Sequence, residues 1–75
     1  MTQLPILSGK ELIKILSKSG YREIRQRGSH IRLECPGRKS VTVPNYRAID
    51  RSLLRKILRD AELNLDDFEK LRALD

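Results

Sequence analysis

The apolar residues near the start of the chain recur at helical spacing. The stripe that they form comprises Leu12, Ile13 and Leu16, and the lysines of this segment lie mostly off it. Ser8 and Glu11 have the spacing of a capping box, in which each side chain satisfies a free backbone N–H at a helix start. Gly20 supplies a left-handed stop. The pattern predicts a first helix from about residue 9 to residue 19.

In the middle of the chain the apolar period changes to two, which is typical of half-buried strands. Two runs show it: Ile31, Leu33 and Cys35 alternate with His30, Arg32 and Glu34, and Val41 and Val43 alternate with Ser40 and Thr42. An earlier, charged strand is expected around Ile24, before Gly28-Ser29. Pro36-Gly37 fits the two central positions of a type II turn. The segment is therefore predicted to form a three-stranded antiparallel meander.

Helical spacing returns after Pro44-Asn45, which ends the third strand. The apolar set is then Leu54, Ile57, Leu58 and Ala61, with Asp50 or Ser52 as the available cap. A second helix is predicted from about residue 51 to residue 61, and Asn64 caps a last amphipathic segment through Phe68 and Leu71. The order α-β-β-β-α-α predicts a single α+β domain over residues 1–75, with helices on one sheet face. The other face is left to water.

Positive charge is concentrated in the central part of this chain, whose net charge is +6. From Arg22 to Arg59 there are eleven Lys or Arg against three acids, a local net charge of +8. From Asp60 to Asp75 there are six acids against two bases. A concentrated basic segment is typical of proteins that bind polyanions, among which nucleic acid is the commonest. The same charge also fits the solvated surface of a basic protein.

Cys35 is the only cysteine, so no disulfide can form within the chain. Its inward position beside a turn favours a packing thiol over a nucleophile. The first fifteen residues mix polar and apolar positions, without a signal-peptide core or a membrane-spanning run. We therefore expect a cytoplasmic protein that does not enter a membrane. With a single His and a single Cys, neither a metal nor another cofactor is expected.

His30 is the chain's only histidine, and the strand parity that buries Ile31 and Leu33 points it to solvent. An imidazole exchanges protons near neutral pH, and nearby arginines supply positive charge for a phosphate. RNA carries its own nucleophile, the ribose 2′-hydroxyl, so its cleavage requires proton transfer and charge stabilisation more than a metal. Glu34 lies about 13 Å from His30 along the strand, too far for a His–Glu dyad. A surface histidine without a role fits the same pattern.

A longer set of residues resembles one known family. The matching segments are Gly20-Tyr21, Arg25-Gln26-Arg27-Gly28-Ser29-His30, Gly37-Arg38, Val41-Thr42-Val43-Pro44 and Leu53-Leu54-Arg55-Lys56-Ile57-Leu58-Arg59-Asp60-Ala61. Over roughly residues 4–71 the chain resembles the HicA toxins. The resemblance implies a fold like that of double-stranded-RNA-binding domains, metal-independent cleavage of messenger RNA (mRNA) that arrests translation, and neutralisation by a HicB-type antitoxin. The catalytic histidine of the family corresponds to His30.

Two positions depart from the pattern of this family. Tyr46 stands where many relatives have a second histidine, and Arg51-Ser52 stands where Gly-Thr is frequent. Without a second histidine, a two-histidine acid–base scheme loses its support. Tyr46 is then either a hydrogen-bond donor or a packing residue of the loop.

The sequence as a whole predicts an endoribonuclease in which His30 acts as general acid or base. The candidate RNA-binding residues are Arg25, Arg27, Ser29, Arg32, Arg38 and Lys39. Two other interpretations fit the same residues. One is a non-catalytic module that recognises RNA by shape and phosphate alone. The other is a protein-interaction module whose basic face meets an acidic partner.

Overall fold

The computed structural model describes residues 4–74. Its elements follow the order α1 (Gly9–Lys18), β1 (Arg22–Arg27), β2 (His30–Glu34), β3 (Val41–Pro44), α2 (Arg51–Asp60) and α3 (Leu65–Ala73). The predicted α+β fold and the α-β-β-β-α-α order are confirmed. No helix within residues 4–74 is long and apolar enough to cross a membrane.

Local signals at both ends of α1 act as the sequence predicts. The Ser8 hydroxyl accepts from the Glu11 N–H at 3.1 Å, and the Glu11 carboxylate accepts from the Ser8 N–H at 3.0 Å. The Ser8 N–H, which donates to this carboxylate, lowers the pKa of the Glu11 carboxyl, and the nearby Ser8 hydroxyl lowers it further. At the other end Gly20 has φ +111°, and the Tyr21 N–H donates to the Leu16 carbonyl at 3.1 Å. This is the glycine-dependent helix stop of the Schellman type.

The three strands form one antiparallel sheet in the order β1-β2-β3. Along β2, exposed and buried side chains alternate from His30 to Glu34, and all of β1 is exposed. A β-bulge between Glu23 and Arg25 shifts the register of β1 against β2. Between β2 and β3, Gly37 has φ +82° and the Arg38 N–H donates to the Cys35 carbonyl at 3.1 Å. The predicted type II turn and the three-stranded meander are both confirmed.

The hydrophobic core lies between the inner face of the sheet and the helices, with Ile31, Leu33, Val41 and Val43 pointing into it. The largest fully buried side chains are Tyr21, Phe68, Leu12, Leu16, Leu33, Ile49, Leu54 and Val43. Cys35 is half-buried and packs against this core, as its parity predicts. Because the helices occupy one face of the sheet, the face that carries His30 is open to solvent.

The loop after β3 joins three parts of the chain at one corner of the molecule. The Asn45 N–H donates to the Ser29 carbonyl at 2.6 Å, which ties the loop to the β1–β2 turn. The Gly9 N–H donates to the Tyr46 carbonyl at 2.9 Å, which ties the same loop to the start of α1. An isolated bridge between Leu7 and Ile49 extends this connection. The start of β2, where His30 lies, is therefore held in place from the loop side.

Candidate active site

His30 lies in the middle of a short cross-strand row on the open face of the sheet. Its antiparallel partners are Arg27 on β1 and Pro44 on β3. The next row along the sheet with outward side chains places Arg32 between Arg25 and Thr42. Directly opposed residues have Cβ atoms about 4.5–5.5 Å apart, so these side chains share one small area of the surface.

The side chains of the two rows surround a shallow, open depression of about 230 Å³. Its lining comprises Arg25, Arg27, His30, Arg32 and Thr42. Three of these five residues are arginines, and none is acidic. The depression therefore combines one proton-exchanging group, three fixed positive charges and a hydroxyl.

No carboxylate within residues 4–74 forms an ion pair with the arginines of this depression. The ion pairs that this part of the chain does contain lie on α2 and α3: Lys56 with Asp60, Lys70 with Asp66, and Arg72 with Glu69. Arg25 directly opposes Arg32, and like charges in that relation destabilise a sheet. Such an arrangement is favourable when an anion lies between the charges.

His30 is exposed at the start of β2, and its ring makes no hydrogen bond to any part of the chain that the structure describes. An imidazole that is not engaged by the protein is available to a bound ligand as proton donor or acceptor. Glu34 lies at the other end of β2, opposite Arg22, so the expected absence of a His–Glu dyad agrees with the register. Within residues 4–74, no three His, Cys, Asp or Glu side chains converge as a metal site would require.

The structure brings together some of the residues predicted to bind RNA and separates others. Arg25, Arg27 and Arg32 lie around His30, and Ser29 is exposed in the turn next to it. Arg38 and Lys39 lie in the β2–β3 loop, at the opposite end of the sheet. Their role in RNA binding stays a prediction, and it would require an RNA that extends beyond the depression.

Both residues of the distant loop also have structural contacts. An Arg38 guanidinium N–H donates to the Ala61 carbonyl at 3.4 Å. The Tyr21 hydroxyl donates to the Lys39 carbonyl at 2.8 Å, and burial raises the pKa of this hydroxyl. These contacts tie the β2–β3 loop to the body of the fold.

Thr42 is the residue of the depression that the sequence analysis did not single out. Its signal was present, because it alternates with Val41 and Val43 and so had outward parity. Tyr46, one of the two departures noted in the sequence, is 49% exposed and does not line the depression. Its backbone carbonyl accepts from Gly9.

In a comparison with known proteins, a family model described as the HicA toxin of bacterial toxin–antitoxin systems matches residues 9–63. Searches of the curated proteins and of the solved structures found no match. The matched segment runs from the start of α1 beyond the end of α2 and contains every residue of the depression. Because the match covers well over half of the chain, this protein belongs to the HicA toxin family of bacterial toxin–antitoxin systems.

Proposed function

We propose that this chain is an endoribonuclease that cleaves mRNA without a metal ion, with His30 as the group that transfers protons. The observation that carries the proposal is the position of His30 among Arg25, Arg27 and Arg32 in one depression without acidic residues. Family membership supports a toxin role, and the chemistry of the depression supports RNA as its target.

The shape of the depression suits a polymer better than a small molecule. Sites for small metabolites are concave and bury most of the ligand, whereas this depression is shallow and lies on an open sheet face. A phosphate of an RNA backbone can rest there while the rest of the chain lies along the surface. The three guanidinium groups then bind phosphate oxygens through charge-assisted hydrogen bonds.

The proposed reaction is an internal transesterification. The 2′-oxygen attacks the adjacent phosphorus as it loses its proton, a new P–O2′ bond forms, and the P–O5′ bond breaks. The 5′-oxygen leaves with a proton, so the products end in a 2′,3′-cyclic phosphate and a 5′-hydroxyl. His30 either accepts the first proton or donates the second, and water handles the other.

The arginines contribute where negative charge develops. Negative charge on the non-bridging phosphate oxygens increases in the transition state. Hydrogen-bond donors already positioned around these oxygens therefore stabilise the transition state more than the ground state. Thr42 adds a hydroxyl on the same face. A single histidine gives a slower enzyme than a matched acid and base would, and a toxin that acts on long messages needs few cleavages to inactivate each one.

The test of this function uses an RNA with one strong cleavage site and the same RNA with a single 2′-deoxy nucleotide on the 5′ side of the scissile phosphate. In buffer with EDTA the all-ribose RNA should be cut to a cyclic-phosphate end, and the substituted RNA should stay intact at that position. An RNA with the deoxy nucleotide several positions away serves as the matched control and should be cut. Cleavage immediately 3′ of the deoxy nucleotide at an unchanged rate, or loss of cleavage with EDTA, contradicts the mechanism.

We also propose a HicB-type antitoxin as the protein partner, covering the face that carries His30. Three arginines in a depression that acidic residues do not line favour an acidic surface on that partner. Co-expression with the product of the adjacent open reading frame should yield a stable complex in which RNA cleavage is blocked. Adding RNA should compete with complex formation. Absence of a complex, or a complex that cleaves at the full rate, argues against this partner arrangement.

A further inference from the structure

Gly9, the first residue of α1, is buried against the end of β3. A Cβ atom built on Gly9 would lie 2.2 Å from the Pro44 carbonyl oxygen and 2.9 Å from the Asn45 Cα. Both neighbours are backbone atoms, so no side chain can rotate away to make room. Even an alanine at this position would force the helix start and the β3 end apart by roughly 1 Å, because the distance from its Cβ to the Pro44 carbonyl oxygen falls short of an ordinary contact by about that amount.

Position 9 requires glycine because there is no room for a side chain, and not because of its backbone conformation. Among residues 4–74 the glycines with positive φ are Gly20, Gly28 and Gly37, so Gly9 has a backbone that other residues adopt. Glycine is also a poorer helix former than alanine. Alanine would therefore favour the helix, but it leaves no room for this close approach to the strand end.

The strand end that Gly9 touches is the neighbour of His30. Pro44 is the cross-strand partner of His30 in the β2–β3 ladder. The next residue, Asn45, donates its N–H to the Ser29 carbonyl at 2.6 Å. Ser29 immediately precedes His30 in the chain. Displacement of Pro44 and Asn45 would therefore reach His30 from two sides, through the ladder and through the turn.

We propose that Gly9 is a positioning residue for His30, because its missing side chain sets how closely α1 supports the β3 end and the turn. The inference rests on the proposed role of His30. Gly9 itself lies outside the depression and touches no reacting atom in this scheme. A misplacement of about 1 Å in a catalytic group costs up to about 100-fold in rate, so even a partly relaxed displacement should be measurable.

The test compares Gly9→Ala with Ser8→Ala. The Ser8 substitution removes the cap of the same helix and weakens its start, but it adds no atom toward Pro44. At a temperature where both variants are folded, Gly9→Ala should lower kcat about tenfold while the Kd for RNA stays within about twofold. Ser8→Ala should keep kcat near the wild-type value. An equal fall in both variants, or none in folded Gly9→Ala, overturns the proposal.

A second measurement separates this inference from the proposed function. Because the chain contains one histidine, the imidazole gives a single set of ¹H–¹³C resonances that needs no assignment by mutation. Gly9→Ala should shift these resonances and Ser8→Ala should not. If the wild type fails to cleave RNA, the proposed function fails, and the resonances still test the positioning. If Gly9→Ala does not fold, Asn45→Pro replaces it in this test, because it removes the N–H donated to the Ser29 carbonyl. Asn45→Pro should then shift the His30 imidazole resonances, and unchanged resonances overturn the proposal.

Discussion

Replacement of His30 with alanine should lower the rate of RNA cleavage by about 10²–10⁴-fold and remove toxicity on induced expression. The size of this fall in rate follows from the usual contribution of one proton-transfer group to catalysis. RNA binding should persist, because the arginines of the depression remain in place. The variant should also accumulate to a higher level in cells than the wild type, since it no longer arrests translation.

The fold should survive this substitution. His30 is exposed, while Ile31 and Leu33 on the same strand are buried and unchanged. Substitutions at exposed positions without special contacts change stability by about ±0.5 kcal/mol. Glu34→Ala is the matched control, because Glu34 is exposed on the same strand and the same face but does not line the depression. It should cleave RNA at the wild-type rate.

Thermal melting, RNA binding and cleavage of message-length RNA with EDTA together check this prediction. A folded His30→Ala protein that cleaves at nearly the wild-type rate would show that His30 is not the catalyst. A variant that melts many degrees lower would assign a structural role to this side chain. If neither the wild type nor the variant cleaves RNA while both bind it, the chain is a non-catalytic RNA-binding module.

The sequence was informative wherever a local rule determines structure. The capping box of Ser8 and Glu11, the stop at Gly20 and the turn at Gly37 depend on a few adjacent residues, and each forms as predicted. Strand parity was equally informative, because a period of two assigns alternating faces as soon as one face is apolar. That rule alone placed His30 and Arg32 together on the open face of the sheet.

Features that depend on contacts between distant segments were not predictable in the same way. The bulge beside Ile24 arises in a strand that is charged on both faces, so no apolar pattern fixed its register against β2. The contact between Gly9 and Pro44 joins residues 35 positions apart, and the sequence of either segment alone carries no sign of it. The separation of Arg38 from the depression follows from strand length and direction, which the charge count did not consider.

The double substitution Arg25→Gln and Arg32→Gln should weaken RNA binding about 25-fold at 0.1 M salt. Each phosphate contact to a single strand contributes about 0.7 to the slope of log affinity against log salt, so two contacts contribute about 1.4. A wild-type slope near −2 to −3, as expected for three or four contacts, should become shallower by that amount. An unchanged salt dependence would show that the open face of the sheet is not part of the RNA-binding site.

The same variant should be more stable than the wild type, which distinguishes a lost binding site from a damaged fold. Arg25 and Arg32 oppose each other directly, and removal of such a like-charge pair should stabilise the sheet by about 0.2–1 kcal/mol. For a domain of this size that corresponds to a rise in Tm of about 1–8 °C, larger at low salt because screening is weaker. Lys14→Gln with Arg55→Gln is the matched control: it removes the same charge from exposed positions on α1 and α2, away from this pair. If the control loses RNA affinity to the same extent, total charge rather than the arrangement around His30 governs binding. If the variant with Arg25→Gln and Arg32→Gln melts lower than the wild type, these two arginines stabilise the fold and do not form a repulsive pair that an anion relieves.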